Sequence, residues 1–188
     1  LAQITSLSGL VSPSVIVSFT LLGVVPLVAK VLIGVIQRRK RLAAFKKPKR
    51  FDANVVVVGG GSAGLVTSLI VAGAKAKVVL VEKHRMGGDC LYTGCVPSKS
   101  IIRSGRIMSY IRRAADYGIV DASGKVDFAA VMQRVQGVIE TIEPHDSPER
   151  FTSLGVECVS GTARLISPYE VEVDGKIITT ESIVIASG

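Results

Sequence analysis

The sequence predicts an α/β domain built on a parallel sheet, with a transmembrane helix in front of it. Three observations carry that expectation. A glycine-rich turn, Gly59-Gly60-Gly61-Ser62-Ala63-Gly64, joins a β-branched run to a stretch of helical composition. A second apolar run, Lys77–Val81, follows at the spacing of a βαβ unit and closes on the acid Glu82. Residues 1–29 contain no charged side chain, and positive charge is then concentrated in one short window.

That window, Gln37–Arg50, holds eight of the 23 Lys+Arg residues and no acid, whereas residues 51–188 hold 14 basic and 15 acidic residues. The formal charge of +8 is therefore local. A nucleic-acid-binding domain would spread its cations over a folded surface, so nucleic acid is not expected as a partner. A 48% hydrophobic content excludes disorder, and three cysteines are too few for a disulfide scaffold. The chain starts at Leu1 and stops at a glycine directly after a strand-like run, which suggests part of a longer protein.

Within residues 1–36, Val15–Ile36 supplies 22 nearly continuous apolar residues, and a bilayer span needs about 20. Lys30 lies near the basic end, within snorkelling reach of headgroups, and Pro26 is tolerable inside a bilayer. A cleaved signal peptide carries its basic region before the apolar core; here it comes after. A buried core helix would be left abutting a cationic linker. The expected partner of residues 15–36 and of the basic linker 37–51 is therefore membrane lipid. By the positive-inside rule the domain at 52–188 faces the cytoplasm.

Asn54–Gly59 reads as a strand buried on both faces, Leu65–Ala74 as a helix and Lys77–Val81 as the second strand. In this Rossmann-like unit Gly59 permits the tight turn, Gly61 lets backbone approach a pyrophosphate and Gly64 allows close helix–strand packing. The helix N-terminus favours phosphate, and Glu82 is placed to accept from a ribose hydroxyl. This pattern predicts a dinucleotide site without separating FAD from NAD.

Cys90 and Cys95 come next, in Met86–Ser100 (MGGDCLYTGCVPSKS). In a regular helix they would be about 7.5 Å apart along the axis, so a bridge needs an irregular turn, for which Gly94 is available. Zinc would need closer spacing and more ligands than Cys158, His84 and His145 offer, so no metal is expected. Two readings stay open, a redox pair or two buried free thiols. Val96–Tyr117 then reads as a helix with Ile101, Ile102, Ile107, Met108 and Ile111 on its period and Arg103, Arg106, Arg112 and Arg113 on a solvated face. Phe128–Ile142 reads as a packing helix. Val156–Val159, Tyr169–Val173 and Ile177–Thr179 read as strands of a small β-meander, with Asp174-Gly175 as a hairpin turn and Cys158 as packing.

GGGSAG, VEK at Glu82-Lys83, GGDCLYTGCVPSK, KVDFAAVMQRV, HDSPERF, SGTAR and the terminal IVIASG together resemble the FAD-dependent pyridine nucleotide–disulfide oxidoreductases. The resemblance is strongest to the mercuric-reductase-like and dihydrolipoamide-dehydrogenase-like branch. It implies an FAD-binding domain and an oxidoreductase that passes electrons from NAD(P)H through FAD to a Cys90–Cys95 disulfide. The final acceptor is a disulfide, a quinone, a metal ion or a similar acceptor. It implies that Gly59, Gly61, Ser62, Ala63 and Gly64 hold the FAD pyrophosphate, and that Glu82 and Lys83 meet the adenosine. Gly88, Asp89 and Lys99 line the phosphates and flavin, Gly161 and Ala163 meet the adenine, and Ser187-Gly188 forms the turn after the last strand. Cys95 faces the flavin and Cys90 exchanges with substrate.

Asp89 stands where Thr is common in the family, Tyr92 where Asn is common, and Ser187 where Thr is usual. The chain carries no second GxGxxG and no interface domain, so by itself it is not expected to complete turnover, and the complete protein is expected to be a homodimer. A flavin- or nucleotide-binding module with no catalytic disulfide is the alternative reading. The apolar segment is then either a single anchor or the last helix of a larger SNARE-associated-type membrane domain.

Overall fold

The computed structural model describes residues 13–188, so expectations for residues 1–12 lie outside the described residues. The chain divides into two units after Lys47.

In the first unit, α1 (Pro13–Ala43) is a single helix of 31 residues with Pro26 inside it. Its segment Val17–Ala43 is long and apolar enough to cross a membrane, with a mean hydropathy of 2.4 in its most apolar window and none of that window buried. Phe19, Leu22, Leu27 and Val31 are all exposed, so the helix is apolar without a protein face to bury. It does not stop at Ile36 but continues through the first basic cluster. Arg, Lys, Leu and Ala are strong helix formers, and Lys40 and Arg41 in the last turn suit the negative end of the helix dipole.

The second unit, Pro48–Gly188, is organised by a six-stranded sheet of order β3-β2-β1-β6-β5-β4. Its elements are β1 (Ala53–Val58), α2 (Ser62–Gly73), β2 (Val78–Glu82), α3 (Gly88–Tyr92), α4 (Cys95–Arg112), α5 (Phe128–Ile142), α6 (Pro148–Ser153), β3 (Val156–Ser160), β4 (Ala163–Ser167), β5 (Glu170–Val173) and β6 (Lys176–Ile185). Strands β3, β2, β1 and β6 run parallel, with Val57 opposite Leu80 and Val56 opposite Ile183. The start of β6 pairs antiparallel with β5, Val173 opposite Lys176, so one strand belongs to both halves of the sheet. Asp174 and Gly175 both take positive φ, as the primed hairpin turns require.

Val56, Val79 and Val81 pack on Val171, Val173 and Ile178, so the meander folds over one face of the parallel strands. Val57, Val78 and Leu80 pack on Leu65 and Phe151, so helices cover the other. Val78 to Val81 are consequently all buried, which is why β2 is a continuous apolar run. Asp52 ties β1 to β6 through its side chain: its carboxylate accepts from the backbone N–H and the hydroxyl of Thr179, at 2.9 and 2.7 Å.

Three sequence expectations are corrected. Cys158 lies in β3 of the parallel sheet, opposite Leu80, and not in the meander. Strand β4, Ala163–Ser167, was not expected, and it pairs with β5. The helix expected over Val96–Tyr117 ends at Arg112 and is followed by a short 3-10 turn, Ala114–Tyr117. Ile101, Ile102 and Ile107 are exposed on it, whereas Ser100 is buried where α4 meets α5, and its carbonyl accepts from Arg134.

Candidate functional site

The site is built where the parallel strands end. The N–H of Gly59 donates to Val81 (2.8 Å), and that of Ala186 donates to Val58 (2.8 Å), so three adjacent strands terminate at one level. Gly59 has φ +108°, and a Cβ there would strike the Ala186 carbonyl; only glycine turns the chain here. At Gly64 a Cβ would strike the Gly59 carbonyl, so α2 rests directly on the turn. Gly61 differs: a Cβ there meets nothing within 4 Å. It is the N-cap of α2 and makes no side-chain capping bond, which leaves the helix end open to an anion.

Glu82 closes the loop from the neighbouring strand. One carboxylate oxygen accepts from Gly60 N–H (2.6 Å) and the other from His84 N–H (2.8 Å). Each oxygen keeps a further lone pair for a hydroxyl donor. The N–H of Gly87 donates to Gly60 (2.8 Å), and Gly88, with φ +53°, lies so close that a Cβ would come 2.9 Å from Gly61 Cα. The segment that carries the cysteines is thereby held against the glycine turn.

Cys90 lies in the five-residue α3, and Cys95 begins α4 after a break at Thr93-Gly94. The break is tight: Gly94 N–H donates to the Asp89 carbonyl (2.6 Å), and a Cβ on Gly94 would meet that oxygen at 3.0 Å. Gly94 therefore serves by close approach, with no left-handed conformation. Both thiols are free; Cys90 is half-buried and Cys95 exposed. The two sulfurs are near neighbours whose titrations affect each other. The Cys95 thiol, then the Ser62 hydroxyl, hold Cys90 below the ordinary thiol range against the effect of burial, with Lys99 adding its charge. Cys95 is pushed up, first by the same hydrogen bond and then by the charge on Cys90. Cys90 is thus the more acidic sulfur.

A cleft of about 490 Å³ runs across this edge. Of the residues expected from sequence, it brings together Gly59, Gly61, Ser62, Ala63, Glu82, Lys83, Gly88, Asp89, Cys90, Ser187 and Gly188. An adjoining hollow of about 190 Å³ shares Gly59, Glu82, Lys83 and Ser187 with it and adds Gly161 and Ala163. Gly64, Cys95 and Lys99 line neither: Gly64 is buried under the turn, and Lys99 stands one helical turn beyond Cys95. His84, Arg85, Tyr92, Thr93 and Ala186 also line the cleft, beyond the residues that the sequence points to. Arg85 and Tyr92 had a signal, since both lie inside the segments that carry Glu82 and the cysteines.

Known proteins share this arrangement in sequence. The chain is 34% identical over 144 residues to the dihydrolipoyl dehydrogenase of Mycoplasma pneumoniae, covering 72% of this chain and 30% of that protein. It is 33% identical over 139 residues to that of Acholeplasma laidlawii, covering 73% and 41%. To the mercuric reductase of Bacillus cereus it is 26% identical over 138 residues, covering 73% and 22%. The chain spans less than half the length of each of these relatives. Residues 53–188, from the first strand through the cysteines to the turn after β6, match the family model of the pyridine nucleotide-disulphide oxidoreductases, and the chain belongs to that family.

Proposed function

We propose that this chain is the flavin-binding, thiol-exchanging part of a membrane-anchored reductase that uses NAD(P)H to reduce a disulfide or a similar acceptor. The observation that carries the reading is the pair Cys90 and Cys95, two neighbouring free thiols, with Cys90 on the wall of a glycine-lined cleft. FAD fits that cleft, because Gly61 leaves open space where a Cβ would project and the α2 N-terminus has no capping side chain.

Gly59, Gly61, Ser62, Ala63 and Gly64 would hold its pyrophosphate, Glu82 and Lys83 its adenosine ribose, and Gly161 and Ala163 its adenine. Gly88, Asp89, Lys99 and Ser187-Gly188 would border the remainder. When bound, FAD supplies two-electron exchange between a nicotinamide and the dithiol. The rest belongs to the chain's own sulfurs. The Cys90 thiolate, stabilised by the Cys95 and Ser62 donors, attacks one sulfur of the acceptor disulfide and releases the other as a thiol. The Cys95 thiolate then attacks Cys90, releasing the second thiol and leaving the protein disulfide.

The anchor is α1, with lipid around residues 15–36 and anionic headgroups at the basic linker. The reductase unit then lies on the cytoplasmic side, and the complete protein is a homodimer. The test is an anaerobic reductive titration of the detergent-purified chain with flavin bound. Uptake of about four electrons per flavin supports the reading, since the dithiol couple takes two of its own. Uptake of about two identifies a membrane-tethered flavin module with inert thiols. In the complete protein, Cys90→Ser is expected to abolish thiol transfer with flavin still bound.

A further inference from the structure

Helix α3 has five residues, too few to hold a helical turn by its own hydrogen bonds. Its N-terminal end is fixed, since Gly87 donates to Gly60 and Gly88 lies against Gly61. Its C-terminal end is Tyr92, and three contacts from three parts of the chain converge there. The Tyr92 hydroxyl donates to Glu143 Oε1 at 2.7 Å, beyond the end of α5. The Arg85 guanidinium, from the loop after β2, stands 3.9 Å over the centre of the ring. Tyr92 also packs on the cluster of Leu91, Val135 and Ile139, which Val96 joins too.

Leu91 follows Cys90 and Val96 follows Cys95, so one small core grips the chain beside each sulfur. Burial, and then the Glu143 acceptor, raise the phenol above its ordinary range and keep it a donor. Cys90 is thereby held between two fixed ends of a turn that would otherwise fray.

We propose that Tyr92, clasped between Arg85 and Glu143, is a positioning residue that holds Cys90 within bridging range of Cys95. The inference rests on the proposed redox role of the pair and names what sets its poise. A disulfide forms when the Cα atoms lie about 4.4–6.8 Å apart, and every fluctuation of α3 outside that range lowers the effective concentration of one thiol at the other. The clasp favours ring closure, so it stabilises the oxidised pair relative to two separate thiols.

The test is equilibration of the full chain, in detergent, with mixtures of oxidised and reduced glutathione. Each bridge formed moves two electrons and two protons from Cys90 and Cys95 to one oxidised glutathione, giving two reduced glutathiones. Acid quenching, alkylation and peptide mass mapping read the Cys90–Cys95 bridge separately from Cys158. Tyr92→Phe, which loses only the hydroxyl, is expected to lower the closure constant about threefold. Arg85→Met, which loses only the stacked cation, is expected to lower it by a similar factor. Tyr92→Leu is expected to lower it about tenfold, making the couple about 30 mV less reducing.

Tyr110→Phe, on an exposed α4 tyrosine, is expected to leave the constant unchanged. A role confined to folding would lower the melting temperature without moving the closure constant of the folded chain. If Tyr92→Leu fails to fold, the two volume-conserving variants decide. Unchanged closure constants in the folded variants overturn the clasp and leave the redox reading intact. A wild-type chain that forms no Cys90–Cys95 bridge overturns the redox reading, and the clasp with it.

Discussion

Strands β2 and β5 lie in the same sheet and follow opposite rules. In β2, four successive residues, Val78 to Val81, are buried; in β5, half-buried Glu170 and Glu172 alternate with buried Val171 and Val173. The cause is cover. The meander lies on one face of β2 and helices on the other, whereas β5 has only its inner face on the core. The outer face of the meander carries an ion pair instead, Arg164 Nη2 to Glu172 Oε2 at 2.6 Å. The glycine turn and Glu82 are mounted on β1 and β2, whose central residues are buried, and the Ser187 turn follows β6. A site whose geometry depends on close backbone approach is thus seated on the two covered strands.

That contrast can be broken by measurement. Leu80→Ala, in the middle of β2, is expected to cost about 2–5 kcal/mol, read from the denaturant midpoint of the full chain in detergent. A cost below that of a meander substitution would refute the difference in cover. Gly61→Val separates the site from its foundation. Because its Cβ would enter open space, stability should stay near wild type while flavin affinity falls about a hundredfold by isothermal titration. Retained flavin affinity would move the cofactor elsewhere.

Within the meander, Val171→Ala should cost about 1.5 kcal/mol, and Ile177→Ala, on an exposed side chain, less than about 0.5 kcal/mol. Equal losses at the two positions would show that the outer face is covered too.

A small, pH-dependent effect concerns the join between the halves. The Thr179 N–H, followed by the Thr179 hydroxyl, holds the Asp52 carboxyl below its ordinary value of 3.8. A depressed carboxyl stabilises the fold above its unfolded pKa, and the contribution disappears as pH falls through the folded one. Asp52 is largely exposed, so solvent screening keeps the effect below about 1 kcal/mol. The stability gap between wild type and Asp52→Asn should be present at pH 6 and close below the ordinary carboxylate range. A gap that widens on acidification would reverse the assignment.

The covered half is also the half that the sequence announces. Burial on both faces forces β-branched runs such as NVVVV and KVVLV, and the glycine turn between them can hardly be read otherwise. Strand β4 was invisible because Arg164, Leu165 and Ile166 are all exposed, so ARLIS has no alternation to detect. Cys158 reads as part of the meander because the strands that follow it in sequence are there, although β3 returns to the far edge of the parallel strands. The cysteine segment was legible as a motif. The clasp on Tyr92 was not, since Glu143 lies 51 positions away and only the packing of α5 brings it back.

Strand β6 has a consequence on the timescale of synthesis. Asp52 and Thr179, at the joined ends of β1 and β6, are 127 residues apart. At about 5–20 residues per second, β1 therefore waits roughly 6–25 s on the ribosome for its second neighbour. By then α1 has long emerged and can already lie in a bilayer. The nascent domain passes that interval with one edge of its central strand unpaired, and a helper that shields strand edges would have its work there.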